Sequence, residues 1–301
     1  MKSNELLKGL VLVAVGASSY GMLATFVKLS YQEGFTTPEV ALAQLSIGLI
    51  VMWCITLFKE RSTKDNTETS VITKAEKGDV LKLILFGTSL GLTTLFYYSA
   101  VKYVSISIAI VLLMQTTWIS VVLESLIQKK FPSLQKIIAV ILVLVGTVLT
   151  TNILGKDLAL DFRGLIFGLL AALSFTMTMF TSNKVATYLT PYRKGSLMLT
   201  GGFITIVIFC LFSYNGSFNF GIFGKWGIIL ALFGTIIPPL TFNAGFPKIG
   251  LGLGSIVSAM ELPVSIFMAY LLLGEQVIGV QIVGIVLILL AVILMNIKLK
   301  K

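Results

Sequence analysis

Apolar residues in this chain run on for roughly twenty positions at a stretch, broken by short polar segments. The runs fall at 7–30, 36–58, 81–101, 105–127, 134–153, 164–186, 192–214, 225–246, 252–273 and 279–297. Each is long enough to cross a hydrocarbon core ~30 Å thick as a helix. None alternates strictly between apolar and polar positions, as a barrel strand would. A helix satisfies its backbone hydrogen bonds internally, which the bilayer core demands. The pattern predicts an all-α membrane protein of ten transmembrane helices, with no stretch left for a soluble domain.

The second five runs copy the first five. KYVSISIAIVLLMQTTWISVVLESLIQKK (Lys102–Lys130) aligns with KIGLGLGSIVSAMELPVSIFMAYLLLGEQ (Lys248–Gln276) at a constant offset. FGTSLGLTTLF (Phe86–Phe96) lies over FGTIIPPLTFN (Phe233–Asn243), and Lys8-Gly9-Leu10 over Arg163-Gly164-Leu165. The repeats are residues 1–153 and 154–301. Five spans per repeat force opposite insertion, so the chain reads as two inverted five-helix repeats. Secondary transporters are built this way, with the site near the midplane between the halves.

Composition agrees: the chain is 56% hydrophobic and 12% charged, with a mean hydropathy of +0.97. The net charge of +10 raises the question of nucleic acid, but its distribution answers it. With the N-terminus inside, every Lys and Arg except Lys28, Lys102, Lys156, Arg163 and Lys225 falls on the inner side. This is the positive-inside bias, and it places both termini in the cytoplasm. No basic-aromatic groove for nucleic acid appears. The apolar run behind the basic N-terminus is too long for a signal-peptide core and lacks a cleavage pattern, so it reads as a retained helix. The chain has no His, which removes imidazole proton relays and Ser-His chemistry. Cys54 and Cys210 lie inside spans without a CxxC pattern, so neither a disulfide nor a metal site is expected.

The longest polar segment, Lys59–Asp79, reads as a flexible cytoplasmic loop. Leu154–Phe162 joins the repeats on the outer side. The other connections are short, so sequential helices are expected to be neighbours. Gly16, Ala17, Ser18 and Ser19 in the first span, and Ala171, Ala172 and Ser174 in the sixth, permit close helix approach.

An ionisable group at mid-bilayer costs about 2.5–3.5 kcal/mol on insertion scales. Glu261 stands midway along the ninth span, two residues before Pro263. The proline frees carbonyls near residue 259. A carboxyl beside free carbonyls suits a cation, a proton or a substrate ammonium; the plain alternative is a buried structural acid. Gln115 holds the equivalent place in the fourth span, ahead of Trp118. It reads as a partner facing Glu261 or as an interhelical hydrogen bond. Lys28 near the outer end of the first span either snorkels or meets a carboxylate. Pro238-Pro239 interrupts the eighth span as a hinge or a static kink, with Thr241 and Asn243 placed to re-satisfy the backbone. Asn183 and Lys184 close the sixth span, Lys184 as an interface anchor. Gln44 lies within the second. The charges Glu33, Asp157, Asp161 and Glu275 read as solvated. Tyr20, Phe26, Phe96, Tyr97, Tyr98, Trp118, Phe175, Phe180 and Phe242 form an aromatic set, in part packing.

Two stretches carry a resemblance: AMELPVSIFMAYLLLGE (Ala259–Glu275) and GASSYGMLATFVK (Gly16–Lys28). With both repeat ends, they resemble the drug/metabolite transporter superfamily, in particular the EamA-type ten-helix permeases. That resemblance implies a central cavity lined by the first, third, fourth, sixth, eighth and ninth helices, with Lys28 and Glu261 as recurring polar positions. It implies export of amino acids, metabolites or drugs from bacteria. Two departures stand out: Gln44 where many relatives carry Arg, and Thr117 where the fourth helix usually has proline.

The expected function is export of a small organic metabolite across the inner membrane by alternating access. Substrate lies near Glu261, Gln115, Lys28, Tyr20, Trp118, Tyr97, Asn183 and Asn243, with Pro238, Pro239 and Pro263 as hinges. Protons are the expected coupling ion and the bilayer the expected surroundings. Multidrug efflux of lipophilic cations and an uncoupled facilitator are the alternatives. No GxxxxGK[ST] motif appears, so no ATP-driven step or cofactor is expected. A membrane enzyme would need a nucleophile, base or metal cluster, and a channel a symmetric filter; the sequence offers neither.

Overall fold

A computed structural model describes residues 3–64, 76–104, 106–151, 161–213, 217–274 and 276–296. Every regular element among them is helical. The first three runs become α1 (Ser3–Gln32), α2 (Thr37–Lys64) and α3 (Lys77–Tyr103). The fourth is broken into α4 (Ile106–Leu113) and α5 (Thr116–Gln128), and the fifth is α6 (Leu134–Thr150). Then come α7 (Phe162–Lys184) and α8 (Pro191–Ser213). A 3-10 turn at Phe220–Phe223 leads into the eighth run, which is α9 (Lys225–Ala231), a π-helical turn at Leu232–Ile236 and α10 (Ile237–Ile249). The ninth splits into α11 (Leu251–Ser258) and α12 (Glu261–Leu273), and α13 (Gly279–Asn296) completes the fold. Eight segments are long and apolar enough to cross a membrane; Leu134–Thr150 and Gly279–Met295 are shorter apolar helices.

Local chemistry sets the helix ends. Ser133 and Asp161 cap α6 and α7 by accepting the backbone N–H of Lys136 and Arg163, groups a helix start leaves unpaired. α5 and α12 both stop at a left-handed residue, Lys129 (φ 51°) and Gly274 (φ 66°), one of the common ways to end a helix.

The expected loop 59–79 is shorter than the sequence suggests, because Lys59–Lys64 continue α2 and Lys77–Asp79 begin α3. Tertiary partners hold these extensions: Glu60 meets Arg193 at 3.4 Å, and Asp79 accepts the Tyr188 hydroxyl at 2.8 Å. The middle of that loop, most of the connection 154–162, and the expected charges Asp157 and Glu275 lie outside the described residues.

Sequential helices are not the main neighbours. The extensive contacts pair α3 with α7 and α8, α1 with α10 and α12, α2 with α8 and α9, α5 with α11, and α6 with α13. Each joins one half of the chain to the other. Exchanging the halves relates several of these pairings: α1 against α10 corresponds to α7 against α3, and α1 against α12 to the lighter α7 against α5, whereas α5 against α11 has no comparable counterpart in α4 against α12. Small residues decide this. A methyl group on Gly16 would strike Thr241 and Phe242 of α10; one on Gly87 would strike the Met198 backbone of α8. Gly146 and Gly284 bring α6 onto α13. Membrane helices associate through such close packing, since lipid tails offer no hydrophobic driving force. Short loops keep sequential helices within reach but do not give them matching faces.

At one end, Glu33 accepts the Trp226 indole N–H and lies 3.1 Å from Lys225 Nζ. The indole hydrogen bond, then the Lys225 ammonium, holds this carboxyl below the usual carboxylate range. A depressed acid contributes stability that is present above its unfolded value and lost as pH falls through its folded one. With Trp53 and Trp118 replaced by Phe, Trp226 is the remaining tryptophan. Its emission is expected to step only below the usual carboxylate range, and Glu33→Gln to remove the step.

Candidate functional site

Helix breaks at equivalent places in the two halves organise the site. In the ninth run, the N–H groups of Ala259 and Met260 reach back three residues, to Ile256 and Val257 at 3.2 and 3.1 Å. Leu262 does the same to the Ala259 carbonyl at 3.1 Å. In the fourth, Gln115 and Thr117 bond back to Leu112 and Met114, both at 3.1 Å. These tight turns are 3-10 geometry, and inside a helix they often mark a functional hinge. The fourth helix breaks without a proline, so Thr117 at that position does not abolish the feature. Contrary to the sequence expectation, the Ala259 carbonyl that Pro263 cannot serve is not free: the Leu262 N–H takes it.

Glu261 is the first residue of α12 and is only partly buried. The Tyr20 and Tyr97 hydroxyls both lie within electrostatic range of its carboxylate. Gly21 makes this possible, since its missing side chain lets α1 pass against the backbone of Glu261 and Ser265. Tyr20 packs edge-on against Phe175 and Phe242 at 6.0 and 5.7 Å, and Phe242 against Phe246 at 5.2 Å. An aromatic column thus runs from the carboxyl along α10.

Burial is lopsided about this point. α11 is buried at every residue, whereas in α12 only Leu262 is. Tyr20, Phe96, Tyr97, Gln115, Met260 and Glu261 all keep partial exposure. The molecule is sealed on the α11 side of the breaks, whereas α12 keeps exposed apolar side chains, such as Phe267 and Leu271, that suit a lipid-facing surface. Two ion pairs, Glu5 with Lys248 and Glu124 with Lys136, lie toward the sealed end.

The other expected residues scatter. Gln115 does not reach Glu261: its amide donates to the Val111 carbonyl at 2.9 Å and accepts the Trp118 indole at 2.8 Å. Trp118 shares an exposed stripe with Val122 and Leu126, so it faces outward. Asn183 donates to the Phe246 carbonyl at 2.6 Å, clamping α7 to α10. Lys28 is half-buried, about 10 Å along α1 from Gly21 at 1.5 Å per residue. Pro238 and Pro239 open α10 directly after the π-helical turn. Thr235 donates to the Ala231 and Gln44 carbonyls, and Thr241 to those of Ile237 and Pro238. Neither Thr241 nor Asn243 serves the Gly234 and Thr235 carbonyls that the prolines leave: Thr241 bonds the Ile237 and Pro238 carbonyls, and both amide atoms of Asn243 are buried without a protein partner. Sequence reasoning missed Lys194, counted as an inner interface charge but 1% exposed, and Glu124, buried and paired with Lys136. Among the described residues no cluster of His, Cys, Asp and Glu suits a metal.

The sequence model of the EamA-like transporter family matches residues 7–152 and, separately, residues 162–297. The chain belongs to the EamA-like transporter family. It is therefore a multi-pass membrane transporter, and members of the family are transporters, not enzymes. A solved crystal structure, titled only as that of a protein, matches over 98% of this chain and 98% of its own, with a TM-score of 0.76 and 14% identity. That likeness speaks to the fold alone. No curated protein matches in sequence.

Proposed function

We propose that this EamA-like protein is a secondary transporter that exports small organic metabolites, amino acids or related compounds, across the bacterial inner membrane. Transport is by alternating access and coupled to protons. The observation that carries the reading is Glu261: a partly exposed carboxyl at a helix break, within range of Tyr20 and Tyr97, at the edge of the sealed side. A carboxyl in mid-membrane marks an ion or substrate path by default.

Ten spans in two inverted repeats account for the paired family match and for pairings such as α1 with α10 and α7 with α3 that correspond when the halves are exchanged. Because those contacts interlock the repeats, the moving bodies draw helices from both. Lys-rich inner segments support cytoplasmic termini. The sealed end, with Lys248 and Lys184, then faces the cytoplasm, and Tyr20, Tyr97 and Glu261 are reached from outside. Gln115, Trp118 and Asn183 support the helix breaks and the inner seal.

The aromatic column beside the carboxyl also suits a flat lipophilic cation, which keeps multidrug efflux as a second reading. Proteoliposomes loaded separately with pooled labelled amino acids and a lipophilic cationic dye, with and without a pH gradient, separate the two. Saturable amino-acid flux that answers the gradient is the expected result. Dye flux alone overturns the metabolite reading, and flux indifferent to the gradient leaves an uncoupled facilitator.

A further inference from the structure

Lys194 lies on α8, 1% exposed, and is among the largest fully buried side chains of the protein. Its ammonium donates to the Ser182 carbonyl at 2.9 Å, in the last turn of α7. No carboxylate among the described residues pairs with it. The neighbouring Arg193 is turned away, 3.4 Å from Glu60 and over the Trp53 ring. An ammonium has three donors, and the Ser182 carbonyl takes one. Burying a charge without full pairing is costly, so the two remaining donors call for acceptors.

Asn243 on α10 is the complementary oddity. It is 5% exposed, and neither its amide nitrogen nor its amide oxygen has a protein partner. Both residues border the junction of α7, α8 and α10, Lys194 through its bond to α7 and Asn243 from α10. A methyl group on Gly195, next to Lys194, would lie 3.5 Å from Asn243 Nδ2. Asn183, next to Ser182, bonds the Phe246 carbonyl one turn beyond Asn243. The junction therefore presents an ammonium and an amide N–H as donors, with the amide oxygen as acceptor. Simple helix clamping accounts for the Ser182 bond but not for an orphaned amide at the same three-helix junction.

We propose that Lys194 and Asn243 form a second polar station, toward the sealed end of the path and separate from Glu261, that takes a carboxylate-bearing solute. The carboxylate accepts from Lys194 Nζ and Asn243 Nδ2. A zwitterion also offers its ammonium to Asn243 Oδ1, which favours α-amino acids over simple carboxylates. The station is engaged when α8 and α10 part at this end. It rests on the transporter reading only for its place on a transport path; the binding chemistry stands by itself.

The test is thermal unfolding of the purified full-length protein in lipid nanodiscs, with sodium acetate, L-alanine, methylammonium chloride and sodium chloride at matched ionic strength. Ligand in about tenfold excess over its Kd is expected to raise the midpoint by roughly 2–4 °C. Acetate and alanine raise it, alanine more; methylammonium and chloride do not. Lys194→Met removes both rises, Asn243→Leu removes at least the alanine excess, and Glu261→Gln keeps them. If Lys194→Met does not fold, Asn243→Asp replaces it, because a carboxylate of similar volume repels acetate. No rise with the natural protein, or a rise that survives both Lys194→Met and Asn243→Asp, overturns the station. An acetate rise without flux in proteoliposomes keeps the station and removes the transporter proposal; gradient-driven flux without a rise does the reverse.

Discussion

Glu261→Gln abolishes the response of flux to an imposed pH gradient and lowers gradient-driven transport at least about tenfold, a change worth about 1.4 kcal/mol. The substitution keeps volume and hydrogen-bonding capacity but removes the titratable group. Its position makes the effect large: it opens α12 at the break, and the nearby phenols of Tyr20 and Tyr97 titrate far above neutral pH in water and offer no replacement base. Glu261→Asp retains the carboxyl and is expected to restore gradient dependence in part. Gel filtration and thermal melting of all three forms separate coupling from folding, since neither is expected to change. Unaltered gradient dependence in Glu261→Gln contradicts proton coupling through this residue.

Gly201→Val is expected to lower the melting midpoint by about 5–10 °C and to collapse the yield of folded protein. Adding side-chain bulk to a packed interface costs typically 1–3 kcal/mol and occasionally more, and about 2–4 °C accompanies each kcal/mol in a domain of this size. Here the upper end applies. A Cβ on Gly201 meets the Ile84 carbonyl and the Thr88 nitrogen, both backbone atoms of α3, so no rotamer change relieves it. Gly87 and Gly91 meet α8 backbone in the same way, at Met198 and Gly202. One substitution therefore pushes apart a contact that runs the length of two helices. Gly78→Ala is the control: at the start of α3 a methyl group meets nothing within 4 Å, and the melting point is expected to hold.

The helices were legible because each apolar run folds as helix, and the largest disagreements in regular structure lie at polar ends. α2 runs on to Lys64 because Glu60 and Arg193 hold a helix that has left the apolar region. Pairing was harder to read. Short loops suggest sequential neighbours, yet small residues such as Gly87 and Gly201 set the real partners, and complementary faces are not visible one segment at a time. At the site, Glu261 announced itself as a carboxyl in an apolar run, whereas Gln115 did not join it because its amide is used up within its own helix. Lys194 was hidden by its place beside Arg193 at the inner end of a span.

Side-specific labelling of Ser255→Cys tests alternating access most directly. The background lacks Cys54 and Cys210, the protein's two cysteines. Ser255 is 1% exposed on α11; its hydroxyl lies 2.9 Å from the Gly252 carbonyl of its own helix and 3.3 Å from the Thr117 carbonyl of α5, at the seal between the two broken helices. The account predicts that a membrane-impermeant maleimide reacts slowly, from the cytoplasmic side, and faster under the gradient that drives flux. Rapid reaction from both sides with no gradient means a continuous pore and contradicts it, as does a seal that never opens while flux proceeds.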